Sequence, residues 1–455
     1  MKTSQSSFCD LRDKVLQEIR PTPEERQRLR NAANKILDRI EELASSQGIV
    51  CYPILVGSAA RSTWLSGDHD LDIFLAVPED SDLSKALDLA RLVAPVHEEK
   101  YAEHAYVHAW IEGFESDLVP CYLLEEASKI KSAVDRTPFH TRYVSARITG
   151  LEDEVLLLKQ FMKGCGVYGS ELKLGGFSGY LAELLVLQYG SFCDVLKAAS
   201  SWRPGETIDL EAHATISHQD PLVVIDPVDP GRNVAAALTL DRAFQFCAAA
   251  RCFLKAPHID FFAFLEKPPL SDEDLLGRIK ARGTTLILLD FPAPQMVEDV
   301  IFPQLRKAEY SITALFQRNG FSVFRSEVDC HCIGNAFRAR MLFELEAGEQ
   351  SFIIKRQGPP VWEAEHLSRF LLSHPQPISG PYIKEGRAFV EIPRKYTAAR
   401  DLLANEIASL SLGKHLTQEV KREHNIYVGI ELAQIKDRGF RTFMARYLDA
   451  RLRMC

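Results

Sequence analysis

Two aspartates one residue apart, Asp70 and Asp72, stand at the head of the apolar run Ile73-Phe74-Leu75-Ala76-Val77. On a strand, residues i and i+2 face the same way, so the two carboxylates project together while Leu71 and Ile73 face a core. Carboxylates held that close repel unless a cation lies between them. A divalent cation is the usual solution, and Mg2+ takes few carboxylates while keeping the phosphate oxygens of a substrate as ligands. Gly57-Ser58 precedes the pair by eleven residues, and a Gly-Ser turn can offer a backbone N–H and a hydroxyl to an anion. Arg61 is close enough in sequence to add positive charge there. Downstream, Asp117 lies in the strand-like Phe114-Glu115-Ser116-Asp117-Leu118-Val119-Pro120, where a buried and unpartnered carboxylate would be costly. Asp70 and Asp72 alone would fit a solvated strand edge. With Asp117 they permit two-metal catalysis, in which one ion activates a hydroxyl and both stabilise in-line displacement at phosphorus. The reaction class implied is nucleotidyl transfer.

These residues need elements to hold them. Thr22-Pro23-Glu24-Glu25 announces a helix with a capping box and proline at its first position; Leu29, Ala33, Ile36, Ile40 and Leu43 follow at helical spacing, and Gly48 ends it. Strands are expected at Ile49–Val56, from Asp70 to a stop at Pro78, at Ala105–Ile111 and at Phe114–Val119, with a helix over Leu83–Val93. From Thr141 to Leu265 the pattern is mostly helical: Asp153–Cys165, a long apolar helix Gly179–Leu196 capped by Ser178, and Leu240–Leu254. Strands return at Thr285–Phe291, Phe321–Arg325 and Phe337–Phe343, with an amphipathic helix within Val297–Asn319. This β-α-β-β order points to a ferredoxin-like module. Gly358-Pro359-Pro360 opens an inserted helical segment around Glu363–Leu372, before a strand Ala388–Ile392 and a helix Ala398–Leu410.

Composition bounds what such a chain can be. Its 455 residues, 46% hydrophobic and 25% charged, are ordinary globular material and exclude a disordered or fibrous protein. At roughly 100–200 residues per domain, about three domains are expected. The net charge of −8 argues against a uniformly basic surface, although it leaves room for a local basic groove. The N-terminus has no apolar core of a secretory signal and no run approaches a membrane span, so a cytoplasmic protein is expected. Ten cysteines without CxxC pairs read as reduced thiols. Cys330-His331-Cys332 lacks a second pair to complete a zinc site and reads as strand or loop.

The runs GSAARSTWLSGDHDLDIFL (57–75), SDLVPCY (116–122) and SAVDRTPFHTRYV (132–144) resemble the archaeal-type, class I CCA-adding enzymes, which are tRNA nucleotidyltransferases of the polymerase-β superfamily. LLLKQFMKGCGVYGSELKLGGFSGYLAELLV (156–186) and VVIDPVDPGRNVAA (223–236) continue the likeness, and Gly358-Pro359-Pro360-Val361-Trp362 extends it to most of the chain. The first run marks the superfamily; the later ones are specific to the family. The resemblance implies an α+β multidomain protein: a polymerase-β-like nucleotidyltransferase head (1–145), a helical neck that binds nucleotide (146–268) and a ferredoxin-like C-terminal body with a helical tail insertion that binds tRNA (269–455). It implies template-independent addition of C, C and A to the tRNA 3′ end from CTP and ATP, with Mg2+ and release of pyrophosphate. CCA repair, tandem CCA marking of unstable tRNA and a homodimer are further implications.

Residue by residue, the resemblance makes Asp70 and Asp72 the metal-binding pair, the first being Glu in some relatives. It makes Asp117 the third carboxylate, a ligand of the metal next to the primer 3′-hydroxyl that helps its deprotonation. Ser58 and Arg61 would contact the triphosphate, His140, Lys159 and Tyr168 would be further nucleotide contacts, and Arg232 would read the Watson–Crick edge of the base. Without it the last four have plainer readings. Lys159 would be a snorkelling surface residue, His140 a capping or packing residue, Tyr168 a core aromatic and Arg232 a solvated loop charge.

For tRNA phosphates, two basic patches are candidates. Lys436, Arg438, Arg441, Arg446, Arg451 and Arg453 are interleaved with Phe440, Phe443 and Tyr447, and Arg394, Lys395 and Arg400 form the second. A solvated face of an amphipathic helix accounts equally well for the first. Shape and backbone recognition of duplex RNA is expected, since no aromatic sheet signature of base reading is present. Two alternatives stand beside CCA addition: a poly(A) polymerase or oligoadenylate synthetase of the same superfamily, and a non-catalytic RNA-binding relative.

Overall fold

A computed structural model describes residues 2–68, 70–101, 103–263, 267–333 and 336–450. They divide into two compact units, residues 1–265 and residues 266–451. In the first, helix α1 (Lys2–Ile19) buries Val15, Leu16 and Ile19, an element too short of periodic apolar residues to be read from the sequence. Helix α2 (Pro23–Gln47) has the expected box, Thr22 accepting from the Glu25 N–H and Glu25 reaching back to the Thr22 N–H; Gly48 closes it at φ +65°. Strand β1 (Tyr52–Leu55), helix α3 (Gly57–Arg61), strand β2 (Leu71–Pro78), helix α4 (Leu83–Val93), and strands β3 (Glu98–Tyr101), β4 (Ala105–Ile111) and β5 (Phe114–Leu123) complete the head. Its five-stranded sheet runs β1-β2-β5-β4-β3. β2 and β5 are parallel and every other pair is antiparallel. Leu71, Ile73, Leu75, Val77 and Leu118 on one face pack with the buried side of α2 and α4.

The helical part of this unit follows: α5 (Arg136–Ser145), α6 (Glu152–Gly164), α7 (Gly179–Tyr189) and α8 (Phe192–Ala199), then strands β6 (Glu206–Ile208), β7 (Leu222–Asp226) and β8 (Asp229–Asn233), and helix α9 (Leu240–Lys255). The single helix expected over Gly179–Leu196 is two. Gly190 ends α7 in the left-handed region at φ +86°, and Ser191 caps α8 by accepting from the Asp194 N–H, so one stop and one start signal sit side by side inside an apolar run. α6 and α7 are buried nearly all round. At Gly164 a Cβ would strike the Phe261 carbonyl, so only glycine lets α6 lie against that backbone.

In the second unit, helix α10 (Asp272–Arg282), strand β9 (Thr285–Pro292), helix α11 (Glu298–Arg318), and strands β10 (Val323–Ile333) and β11 (Ala336–Leu345) precede strand β12 (Ile353–Pro360), helix α12 (Ala364–Ser373), and strands β13 (Ser379–Lys384) and β14 (Arg387–Pro393). Helices α13 (Ala399–Glu406) and α14 (Leu416–Arg422), strand β15 (Asn425–Val428) and helix α15 (Arg438–Leu448) end it. The antiparallel order β10-β11-β9-β15 is the ferredoxin-like arrangement. The tail insertion has more than its expected helix: β12-β14-β13 form a small sheet whose outer strands lack clear alternation. Among the described residues no helix is long and apolar enough to cross a membrane.

Candidate active site

The parallel pairing of β2 with β5 sets Asp72 directly opposite Asp117, and Asp70 stands one residue before β2. Burial, then the neighbouring charges of Asp117 and Asp70, push the Asp72 carboxyl up to about 6 against the opposing pull of Arg61. Gly57 makes this crowding possible. It takes φ +69°, and a Cβ there would collide with the Asp72 carboxylate. Asp117 is braced from the other side: His108, its partner across β4 and β5, brings Nδ1 within 2.5 Å of Asp117 Oδ1 and Nε2 within 2.9 Å of Glu115 Oε1. Among the described residues no three His, Cys, Asp or Glu side chains converge as a finished metal cage. What they form is a concentration of like charge that leaves Asp72 hard to ionise, the condition a divalent cation relieves.

Positive groups lie on the adjoining elements. Gly57-Ser58 is the start of the short helix α3 rather than an open turn, since left-handed Gly57 reverses the chain out of β1 and straight into helical backbone. α3 carries Arg61 inward, where it is 8% exposed. Its Nε forms an ion pair with Glu183 Oε2 at 2.9 Å, and Nη1 donates to Thr141 Oγ1 at 3.1 Å. Lys159, on α6, does not snorkel: it is 2% exposed, Nζ donates to the Thr63 carbonyl at 2.8 Å, and Glu183 Oε1 is 3.7 Å away. Burial lowers the Lys159 pKa, with Glu183 opposing. The Tyr168 hydroxyl and Lys159 Nζ both lie where a Cβ at Gly179 would be crowded. Burial raises the Tyr168 pKa, which keeps it a hydrogen-bond donor. Arg61 and Lys159 thus share one buried carboxylate, Glu183, and two cations with one anion favour a further anion beside them.

His140 and Arg232 meet on a third group. α5 is anchored by buried Asp135, which accepts the backbone N–H groups of Tyr122, Lys131 and Ser132. One turn into α5, His140 stacks on Tyr180 with centroids 4.2 Å apart and meets Asp226 Oδ2 through Nε2 at 2.8 Å. Arg232 is on β8, not in a solvated turn, and its Nη1 donates to the same Asp226 oxygen at 2.7 Å. A cleft of about 630 Å³ opens here, lined in part by Arg136, Ser178, His218, Asp229 and Arg232.

Much of both basic patches of the second unit is paired internally, although Arg438 is exposed. Arg441 is buried and, with Lys436, bonds Asp272; Arg446 is 3.9 Å from Asp329. Lys395 pairs with Glu406 and Arg400 with Glu431 at 2.7 and 2.8 Å, and Arg394 donates to the Ser351 and Asn319 carbonyls. Arg451 and Arg453 lie outside the described residues. Cys330-His331-Cys332 is in β10, as strand. Cys51, Cys121, Cys165, Cys193 and Cys247 are free thiols, whereas Cys252 is disulfide-bonded, an exception to the reduced reading.

Sequence reasoning missed Glu183, Asp226 and His108. Two of them left a signal: Glu183 is the one acid inside the apolar Leu181-Ala182-Glu183-Leu184-Leu185-Val186, and Asp226 closes the apolar Val223-Val224-Ile225. An acid placed where burial is certain needs partners. His108 left none, because its partner depends on strand register.

Comparison with known proteins places three family descriptions along the chain: a nucleotidyltransferase domain at 34–140, a tRNA nucleotidyltransferase second domain at 153–263 and a CCA-adding enzyme C-terminal domain at 282–429. The CCA-adding enzyme of Methanosarcina mazei is 41% identical, over 98% of this chain and 100% of its own length. That of Methanosarcina barkeri is 44% identical over 96% and 98%. That of Methanothermobacter thermautotrophicus is 40% identical over 96% and 97%.

Proposed function

The chain belongs to the CCA-adding enzyme family and is a tRNA nucleotidyltransferase, and from that premise we propose that Asp70, Asp72 and Asp117 carry the transfer. The observation that carries this reading is the register pairing of Asp72 with Asp117, with Asp72 pushed up to about 6. Crowded carboxylates fit Mg2+, which when bound would supply charge for the triphosphate and acidify the attacking hydroxyl. Asp70, Asp72 and Asp117 would hold it. Asp117, braced at one oxygen by His108, would be the ligand on the side of the tRNA 3′-hydroxyl and would help take up the hydroxyl proton as the hydroxyl oxygen attacks the α-phosphorus and pyrophosphate leaves. Ser58, Arg61, His140, Lys159 and Tyr168 receive the triphosphate. The excess of Arg61 and Lys159 over Glu183 supports that role.

One pocket serves CTP and ATP. C and A both present an acceptor and an exocyclic amine, so a donor such as Arg232 accepts either and refuses G and U. In the same reading the chain works in the cytoplasm on the tRNA acceptor end, as a homodimer, including repair and tandem CCA marking of unstable tRNA. Its parts are a catalytic head (1–145), a neck (146–268) and a tRNA-holding body with its tail (269–455); the three family matches support that division. The test is incubation with tRNA lacking its 3′ end and each labelled NTP. Two additions from CTP and one from ATP, dependent on Mg2+, are expected. Equal incorporation of all four nucleotides would sink the selection model, and long poly(A) would move the assignment to a poly(A) polymerase.

A further inference from the structure

Asp226 has no assigned role, yet it gathers four donors. It ends β7 fully buried. Oδ2 accepts from Arg232 Nη1 at 2.7 Å and from His140 Nε2 at 2.8 Å, while Oδ1 accepts from the Val228 N–H at 3.1 Å and the Tyr180 hydroxyl at 3.3 Å. Burial works against its charge, but these bonds win and hold its carboxyl below the usual range. The backbone builds the arrangement. β7 and β8 are an antiparallel hairpin with Asp226 opposite Asp229, which returns Arg232 to Asp226. α5 grips that hairpin twice, Arg136 Nε on Asp229 Oδ2 at 2.9 Å and, one turn on, His140 on Asp226.

We propose that Asp226 is a positioning residue that sets the Arg232 guanidinium and the His140 imidazole together, so that acceptance of the base and grip on the triphosphate depend on one carboxylate. The inference rests on the reading of Arg232 and His140 as nucleotide contacts. A guanidinium with one nitrogen held by a fixed carboxylate cannot swing, and Arg232, 37% exposed at its side chain, lines the cleft with donors to spare. Selection between bases that differ only in donor and acceptor order needs such a fixed donor, because a misplaced one accommodates U as readily as C. His140, its Nε2–H given to Asp226, would donate to a phosphate oxygen through Nδ1–H as an imidazolium. Its ring is kept in plane by Tyr180 behind it.

The test is Asp226→Asn in the full-length enzyme, with kcat and KM measured separately for CTP, ATP, UTP and GTP on tRNA lacking its 3′ end, beside thermal melting. Asn keeps the shape and loses the charge that fixes both partners. The UTP-to-CTP ratio of kcat/KM is expected to rise about 10- to 100-fold, the range of a lost charge-assisted hydrogen bond, with the CTP KM raised as well. A folded Asp226→Asn enzyme that discriminates like the wild type overturns the proposal. If that variant does not fold, Asp226→Glu, which keeps the charge and moves it by one methylene, is judged on the same ratio; failure of both to fold makes Asp226 a core residue and also overturns it. Arg232→Ala separates the two levels. Wild-type discrimination in Arg232→Ala would remove the underlying reading, whereas its loss there with retention in Asp226→Asn would remove the present inference alone.

Discussion

Three aspartates meet on a sheet in each unit of this molecule, and they are treated in opposite ways. In the head, Asp72 faces Asp117 with Asp70 beside it, and the Asp72 carboxyl sits at about 6, with burial the largest cause. Arg61, the cation that opposes the rise, is already paired with Glu183. In the second unit, Asp290, Asp329 and Asp437 surround Arg340, itself 2% exposed. Arg340 is in register with Asp290 on β9 and Asp329 on β10. It bonds Asp290 Oδ1 at 2.9 Å and Asp437 Oδ2 at 2.8 Å, while His331 bridges Asp329 and Asp437 at 2.9 Å each. Burial works against the Asp437 charge, but Arg340, the Phe440 N–H and His331 bring its carboxyl down to about 2. Equal numbers of acids thus form a joint where cations are built in and a crowded group whose balancing charge is not built in.

Removal of one acid from each group should separate the two most widely. Asp72→Ala is expected to cut CCA addition by about 10³-fold or more with the fold retained; a folded variant with near wild-type incorporation would break the comparison at its root. Asp437→Ala should act on stability instead. It strips a buried arginine of one partner and α15 of its cap, and should cost about 2–4 kcal/mol. Chemical denaturation read by hydrogen exchange in β10 and β11 would measure this. A loss within the noise would mean that the network is decoration.

The contrast also bears on what the sequence makes legible. Asp70, Asp72 and Asp117 stand out because their spacing is local or lies in apolar strands, and α2, α4 and β4 have the bounds that capping signals and periodicity predict. The second group is invisible as a group. Asp290 and Asp437 are far apart in the chain, and Cys330-His331-Cys332 draws attention as a metal motif when its histidine is an ion-pair bridge. Lys159 fails similarly: on a helix buried all round, local pattern cannot say whether a lysine faces water or Glu183. Register and tertiary contact decide these cases, and a single chain's pattern carries neither. The division of Gly179–Leu196 at Gly190-Ser191 is a different miss, since both signals were present and apolar continuity outweighed them.

A conservative change at Asp72 should show the opposite sign on stability. Its ordinary value of 3.8 is raised to about 6 in the fold. Between those values the folded chain keeps a proton that the unfolded chain has released, so stability falls as pH rises through the window and the full cost is present above it. Asp72→Asn removes that cost. The metal-free protein should gain about 1–2 kcal/mol at neutral pH, visible as a higher Tm, while transfer is lost. An unchanged Tm, or equal gains at pH 4 and pH 7, would mean that the head's carboxylates are not strained.

The smallest effect belongs to His331, and it sharpens the other side. Its hydrogen bond to Asp329, and after it that to Asp437, raises its pKa above the usual value despite burial. A raised histidine contributes stability that is fully present below its unfolded pKa of about 6.5 and disappears as pH climbs through the folded value. His331→Asn should therefore lower stability in mildly acid solution by a fraction of the Asp437→Ala loss and leave it nearly unchanged at alkaline pH. Cys330 and Cys332 offer the control. If the site were a metal ligand cluster, chelation would reproduce the His331→Asn effect and added zinc would reverse it. If it is an ion-pair joint, neither treatment moves the melting curve, and the pH dependence alone disappears with the imidazole.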